Sequence, residues 1–117
     1  DGVVVIIHDE RVDRTTDGAG WVKDFTYEEL SKLNASYTFK DCGFQHIPTL
    51  REYMELVKDK DIVTNIELKT GVFEYEGIEK KVYDMIQEYG LKDKMIISSF
   101  SALSSISVLP VRLLRLP

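Results

Sequence analysis

Three short runs rich in β-branched residues alternate with two stretches whose apolar residues recur at helical spacing. That order limits the fold more than any other feature of the chain. Val3 to His8 follows Asp1-Gly2 and reads as a strand leaving a tight turn. Pro48 to about Lys58 reads as an amphipathic helix: proline is tolerated in a first turn, and Leu50, Tyr53, Met54 and Val57 fall on one stripe. Asp61 to Lys69 is the second strand. Glu74 to Tyr89 is a longer helix, with Ile78, Val82, Met85, Ile86 and Tyr89 on its buried stripe and Gly90 as its stop. Met95 to Phe100 is the third strand. Strand, helix, strand, helix, strand predicts parallel βαβ units and an α/β fold.

The pattern breaks between the first strand and Pro48. Asp9 to Gly20 is polar and glycine-bearing, hence a loop. Thr26-Tyr27-Glu28-Glu29 fits a capping box and opens a short helix through Leu30 and Leu33. Asn34 to His46 has no period and reads as irregular. No repeat of fixed period is present.

Composition matters mainly for what it excludes. The chain has 117 residues, enough for one domain with a core. Its net charge of -5 argues against a nucleic-acid partner, because phosphate binding needs a basic surface. A single cysteine, Cys42, rules out an internal disulfide and is compatible with a reducing compartment. A cytoplasmic location is the expectation, though the cysteine does not establish it. Cys42 reads as an inert small side chain. The opening apolar run is short and lacks a basic leader, so it is no signal peptide, and no stretch is long enough to span a bilayer. The chain begins without Met inside a turn entering a strand, which predicts that its true N-terminus lies upstream. Ser101 to Pro117 carries Arg112 and Arg115 and no acid, whereas all 20 acids precede it. Either it is a native amphipathic tail or it is foreign to the fold. The second reading is favoured.

The strand from Asp61 to Lys69 carries the most chemistry. Side chains alternate across a strand, so Ile62, Thr64, Ile66 and Leu68 share a face suited to packing. Val63, Asn65, Glu67 and Lys69 share the other, which turns polar towards the C-terminal end where parallel sheets carry their sites. Glu67 there can ligate a hard cation, and Lys69 can contact a phosphate. The plainer alternative is a Glu-Lys ion pair at a strand end. His8 closes the first strand, a position suited to acid-base work near neutral pH; the plainer alternative is a solvated loop histidine. His46, just before a helix start, reads as a loop residue. Asp13-Arg14-Thr15-Thr16-Asp17-Gly18 fails the calcium-loop pattern, since position 15 is Thr and no helix precedes it. A self-bonded turn is favoured for Asp17 and Gly18.

Taken together, several strings carry a resemblance. They are Asp1-Gly2, Val5, His8-Asp9, Asp13-Arg14-Thr15-Thr16 and Gly20, then Thr26 with Glu29-Leu30 and Leu33. Ile47-Pro48-Thr49-Leu50 with Glu52, Asn65-Ile66-Glu67-Leu68-Lys69 and Ser98-Ser99-Phe100 follow. Their order and spacing resemble those of glycerophosphodiester phosphodiesterases over residues 1 to 100. The resemblance implies a partial (β/α)₈ TIM barrel of the phospholipase C-like phosphodiesterase type, incomplete at both ends. Residues 9 to 46 would be the family's insertion, and the strands at 61 to 69 and 95 to 100 the third and fourth of the barrel. It implies hydrolysis of a small-molecule glycerophosphodiester to sn-glycerol 3-phosphate and an alcohol, with Mg²⁺ or Ca²⁺ as cofactor. By position, His8 would be the second of two catalytic histidines, Glu67 a metal carboxylate and Lys69 the phosphate-side lysine, with Phe100 at the site mouth. The family's first histidine and a pair of acidic metal ligands would lie upstream of Asp1. One carboxylate holds such cations poorly, so the chain alone is expected to be inactive. Two other classes compete: a non-catalytic relative that binds a phosphoester or a partner, and a stand-alone α/β interaction domain. Intact His8, Glu67 and Lys69 weigh against the first, and open sheet edges against the second.

Overall fold

A computed structural model of the chain describes residues 1–70, 73 and 75–99. The chain divides into two compact units, Asp1–Leu50 and Arg51–Pro117.

The first unit is held by Val12, Leu30 and Ile47, all buried, with Val5, Ile7, Val22, Phe25, Tyr27, Leu33 and Ala35 packed against them. Two isolated antiparallel bridges tie its backbone. Val5 pairs antiparallel with Thr49: Ile6 N donates to Pro48 O at 2.8 Å and Leu50 N to Val4 O at 2.9 Å. Arg11 pairs antiparallel with Trp21, with Val12 N donating to Gly20 O at 3.0 Å and Val22 N to Glu10 O at 2.9 Å. The strand expected over Val3 to His8 is therefore reduced to a single bridge at Val5. Its partner stretch carries Pro48, which has no N–H to donate, and turns into a helix at Leu50, so the ladder stops.

Helix α1, Tyr27–Leu30, begins with the capping box the sequence predicts. Glu29 N donates to Thr26 Oγ1 at 3.2 Å and Thr26 N to Glu29 Oε2 at 2.8 Å, and Tyr27 N reaches the Asp1 carboxylate at 2.8 Å. It buries Leu30 but ends before Leu33. Residues 34–46 are irregular, as expected, apart from a 3₁₀ turn at Lys40–Cys42. Asn34 organises them: its Oδ1 accepts from Ser36 N at 3.1 Å, Ser36 Oγ at 2.8 Å and Gln45 N at 3.1 Å.

Most of helix α2, Leu50–Val57, belongs to the second unit. It buries Leu50, Met54 and Val57, three of the four residues of the predicted stripe. Strand β1, Thr64–Leu68, and strand β2, Met95–Ser99, pair in parallel, and helix α3, Ile78–Glu88, lies between them in sequence. This is one βαβ unit. Helix α3 buries Val82 and Ile86, worth about 1.5–3 kcal/mol each in apolar transfer. It stops where Gly90 takes φ 65°: Leu91 N returns to Ile86 O at 3.1 Å and Gly90 N to Gln87 O at 3.1 Å. These bonds form a Schellman ending, for which the left-handed glycine is needed. Tyr53 and Thr64 hydroxyls bond at 2.8 Å, joining α2 to β1. Arg51 and Glu88 pair at 3.0 Å, and Tyr89 Oη donates to Glu55 at 2.6 Å, joining α2 to the end of α3.

The second strand is shorter than predicted. Register sets Thr64 opposite Met95, so residues 61–63 have no partner in β2, and Ile62 and Val63 are 42% and 37% exposed. Lys94 instead secures this approach, donating to Lys60 O at 3.2 Å. Helix α3 begins at Ile78 rather than at Glu74, and Glu74 itself, Phe100 and the tail from Ser101 lie outside the described residues.

Candidate active site

In the second unit, parallel register places Asn65 beside Ile96 and Glu67 beside Ser98. Residues opposite one another share a face, so Asn65, Glu67 and Ser98 line one side of the pair. Ser98 Oγ donates to Asn65 Oδ1 at 3.2 Å. Glu67 Oε1 meets Lys69 Nζ at 3.0 Å, with about a quarter of each side chain exposed (27% and 28%). The structure thus brings Glu67 and Lys69 together at the C-terminal end of β1, the end where parallel strands carry their sites. The ion pair foreseen as the plainer alternative is formed. It leaves chemistry open, because one bond uses only one of the three ammonium donors of Lys69. Asn65 was already on the polar face in the sequence, but Ser98 was not assigned to it. Only the pairing register shows that Ser98 shares that face.

In the first unit, His8 sits in a bend that includes Asp9 and Glu10. Neighbours on a straight strand point to opposite sides, and the bend turns the two side chains together. His8 Nδ1 lies 2.8 Å from Asp9 Oδ1. Arg14 closes on the same carboxylate with both arms of its guanidinium: Nε donates to Oδ2 at 2.7 Å and Nη2 to Oδ1 at 2.9 Å. The hydrogen bonds from Arg14 and then from His8 hold the Asp9 carboxyl well below the usual carboxylate range. A second pair sits beside the first without sharing it. Asp13 accepts from Arg11 Nε at 2.8 Å and from Gly20 N at 3.2 Å, which lowers its carboxyl too, and the Arg11 guanidinium lies 4.8 Å over the Trp21 ring. Thr16, 1% exposed, donates to Val12 O at 2.7 Å and accepts from Gly18 N at 3.0 Å, fixing the turn that carries Arg14.

Gly18 therefore belongs to a self-bonded turn, as expected. Asp17 does not: its Oδ1 accepts from Asn34 N at 2.8 Å, a residue distant in sequence that the turn composition could not foretell. The contacts of Asp9 with His8 and of Arg14 with Asp9 are not foretold by the sequence. The only signal in the sequence was the place of these residues inside the His-Asp and Asp-Arg-Thr-Thr strings. His46 and Cys42 are exposed. Phe100 lies outside the described residues.

Against known proteins, the sequence profile of the "Glycerophosphoryl diester phosphodiesterase family" matches residues 1–108. The chain belongs to that family. A glycerophosphodiester phosphodiesterase of Caldanaerobacter subterraneus is 53% identical over 103 residues, covering 86% of this chain and 42% of its own length. One from Bacillus altitudinis is 44% identical over 102 residues, with the same two shares. Among solved structures, a glycerophosphodiester phosphodiesterase of Agrobacterium tumefaciens superposes with a TM-score of 0.73 at 32% identity, over 88% of this chain and 42% of its own. A phosphodiesterase of Oleispira antarctica, solved with the product sn-glycerol-3-phosphate, gives a TM-score of 0.75 at 30% identity, over 91% of this chain and 44% of its own. The chain thus spans less than half the length of these relatives, and its fold is a partial (β/α)₈ barrel.

The divalent cation implied by the family does not find a complete site among the described residues. No group of three or more His, Cys, Asp or Glu there could hold a metal. Glu67 offers one carboxylate, with the amide of Asn65 and the hydroxyl of Ser98 on the same face. Hard cations take roughly six to eight oxygen ligands. Among the described residues no helix is long and apolar enough to cross a membrane.

Proposed function

We propose that the full-length protein carrying this segment hydrolyses glycerophosphodiesters to sn-glycerol 3-phosphate and an alcohol, and that it needs Mg²⁺ or Ca²⁺. His8 is the acid-base residue contributed by this segment. Glu67 is one of several cation ligands, the rest coming from outside the segment. Lys69 contacts the phosphate, and Phe100 lines the mouth. The observation that carries the reading is the family match over residues 1–108 with His8, Glu67 and Lys69 all in place. The relative solved with sn-glycerol-3-phosphate supports the product class. Because the described residues supply a single carboxylate at β1, the 117-residue chain by itself is catalytically silent.

The test is an assay of the full-length protein on glycerophosphocholine. Turnover is expected, is abolished by EDTA and returns with Mg²⁺ or Ca²⁺. Undiminished turnover in chelator overturns the cation requirement. No turnover on any glycerophosphodiester overturns the reaction.

A further inference from the structure

The acid-base residue proposed above is not held by the fold through burial. The His8 side chain is 60% exposed, and an exposed imidazole turns freely about its side-chain bonds unless something fixes it. What fixes it is visible in the same loop. We infer that Asp9 and Arg14 are positioning residues for His8: Asp9 sets the orientation and tautomer of the imidazole, and Arg14 holds the Asp9 carboxylate in place.

The geometry supports each link. The Asp9 carboxylate is acceptor-only when ionised, so the 2.8 Å contact from His8 Nδ1 is made by an N–H. A neutral imidazole carries one N–H, so the proton sits on Nδ1 and the lone pair on Nε2. Nε2 is then the atom that exchanges a proton with substrate, water or leaving group, while the Nδ1 proton stays in place. Asp9 orients the ring and takes no proton. Two bonds from Arg14, 2.7 and 2.9 Å, fix the plane of the carboxylate. Bidentate guanidinium pairing is geometrically specific, and a lysine cannot reproduce it. Arg14 is itself held in the turn closed by Thr16, and the neighbouring Asp13 is taken by Arg11 and Gly20. The adjacent acid therefore does not compete for Arg14.

This inference rests on the proposed reaction for its kinetic consequence but not for its structural one, and the two are measured separately. In the full-length protein, long-range ¹H–¹⁵N spectra of His8 at alkaline pH report the tautomer, and glycerophosphocholine kinetics report the effect. Wild type is expected to hold the proton on Nδ1. Asp9→Asn presents an amide that donates to Nδ1, and the spectrum shifts to the Nε2–H form. In that variant kcat falls by about ten- to a thousandfold, part of the contribution expected of an acid-base group, while KM changes less than about threefold. Arg14→Lys loses kcat to a smaller degree in the same pattern, and it carries the test if Asp9→Asn does not fold. Wild-type tautomer and kcat in Asp9→Asn overturn the inference. So does a loss of kcat with an unchanged tautomer and a parallel rise in KM, which marks general damage. If wild type turns over no glycerophosphodiester, the proposed reaction falls, and the tautomer comparison still decides whether Asp9 sets the ring.

Discussion

Replacing Thr16 by valine removes one hydroxyl and keeps the β-branched shape, so its effect isolates two hydrogen bonds. Thr16 is 1% exposed, and its Oγ1 donates to Val12 O at 2.7 Å and accepts from Gly18 N at 3.0 Å. Val12 O keeps a second donor, the Thr16 N–H at 3.0 Å, so its loss is only the net value of one bond, about 0.5–1.5 kcal/mol. Gly18 N–H loses its side-chain partner in a part-buried position, which costs about 1–3 kcal/mol if water cannot replace it. The added methyl returns about 0.8 kcal/mol. The balance is a loss of about 0.7–3.7 kcal/mol, which in a full-length barrel lowers Tm by about 2–4 °C per kcal/mol. Thr16→Ser keeps both bonds and loses only a buried methyl, about 0.8 kcal/mol. Thermal melts of the full-length protein followed by circular dichroism compare the two. If Thr16→Val melts with wild type, or if Thr16→Ser costs as much as valine, the hydroxyl is not what holds the Arg14 turn.

His8→Ala in the full-length protein is expected to lower kcat by about 10²–10⁴-fold, and a change under threefold would return His8 to an ordinary loop histidine. Glu67→Gln is expected to raise the Mg²⁺ concentration needed for half-maximal activity, and an unmoved metal titration would remove Glu67 from the ligands. The Asp9 carboxyl is lowered in the folded protein, first by Arg14 and then by His8, so it contributes stability above its unfolded pKa and loses it as pH falls towards the folded value. The Tm gap between wild type and Arg14→Gln should therefore narrow as pH drops below about 4, and a gap that is constant or widens in acid contradicts the linkage.

The features readable in the sequence are those whose partners are close in it. The capping box at Thr26 is two bonds between residues three apart, and it forms as written. Gly90 ends α3 because the positive φ at that point is local, and the stripe of Leu50, Met54 and Val57 is buried because helical spacing alone puts them on one face. Glu67 and Lys69, two apart at the C-terminal end of β1, meet for the same reason. The ordered strings from Asp1 to Phe100 also identified the family, since spacing between motifs is preserved in the linear order itself.

What the sequence could not fix depends on groups brought in from elsewhere. Val3 to His8 has the composition of a strand, but a ladder needs a partner with N–H groups to give, and Pro48 followed by a helix offers only one bridge. Ile62 and Val63 alternate as strand residues should, yet the register of β2 begins opposite Thr64 and leaves them exposed. Asp17 reads as a turn residue until Asn34 is placed beside it. His8 was legible as a candidate acid-base residue. The bend that swings Asp9 onto its ring and the turn that brings Arg14 onto Asp9 arise only when the loop is folded, because orientation is set by contacts rather than by order along the chain.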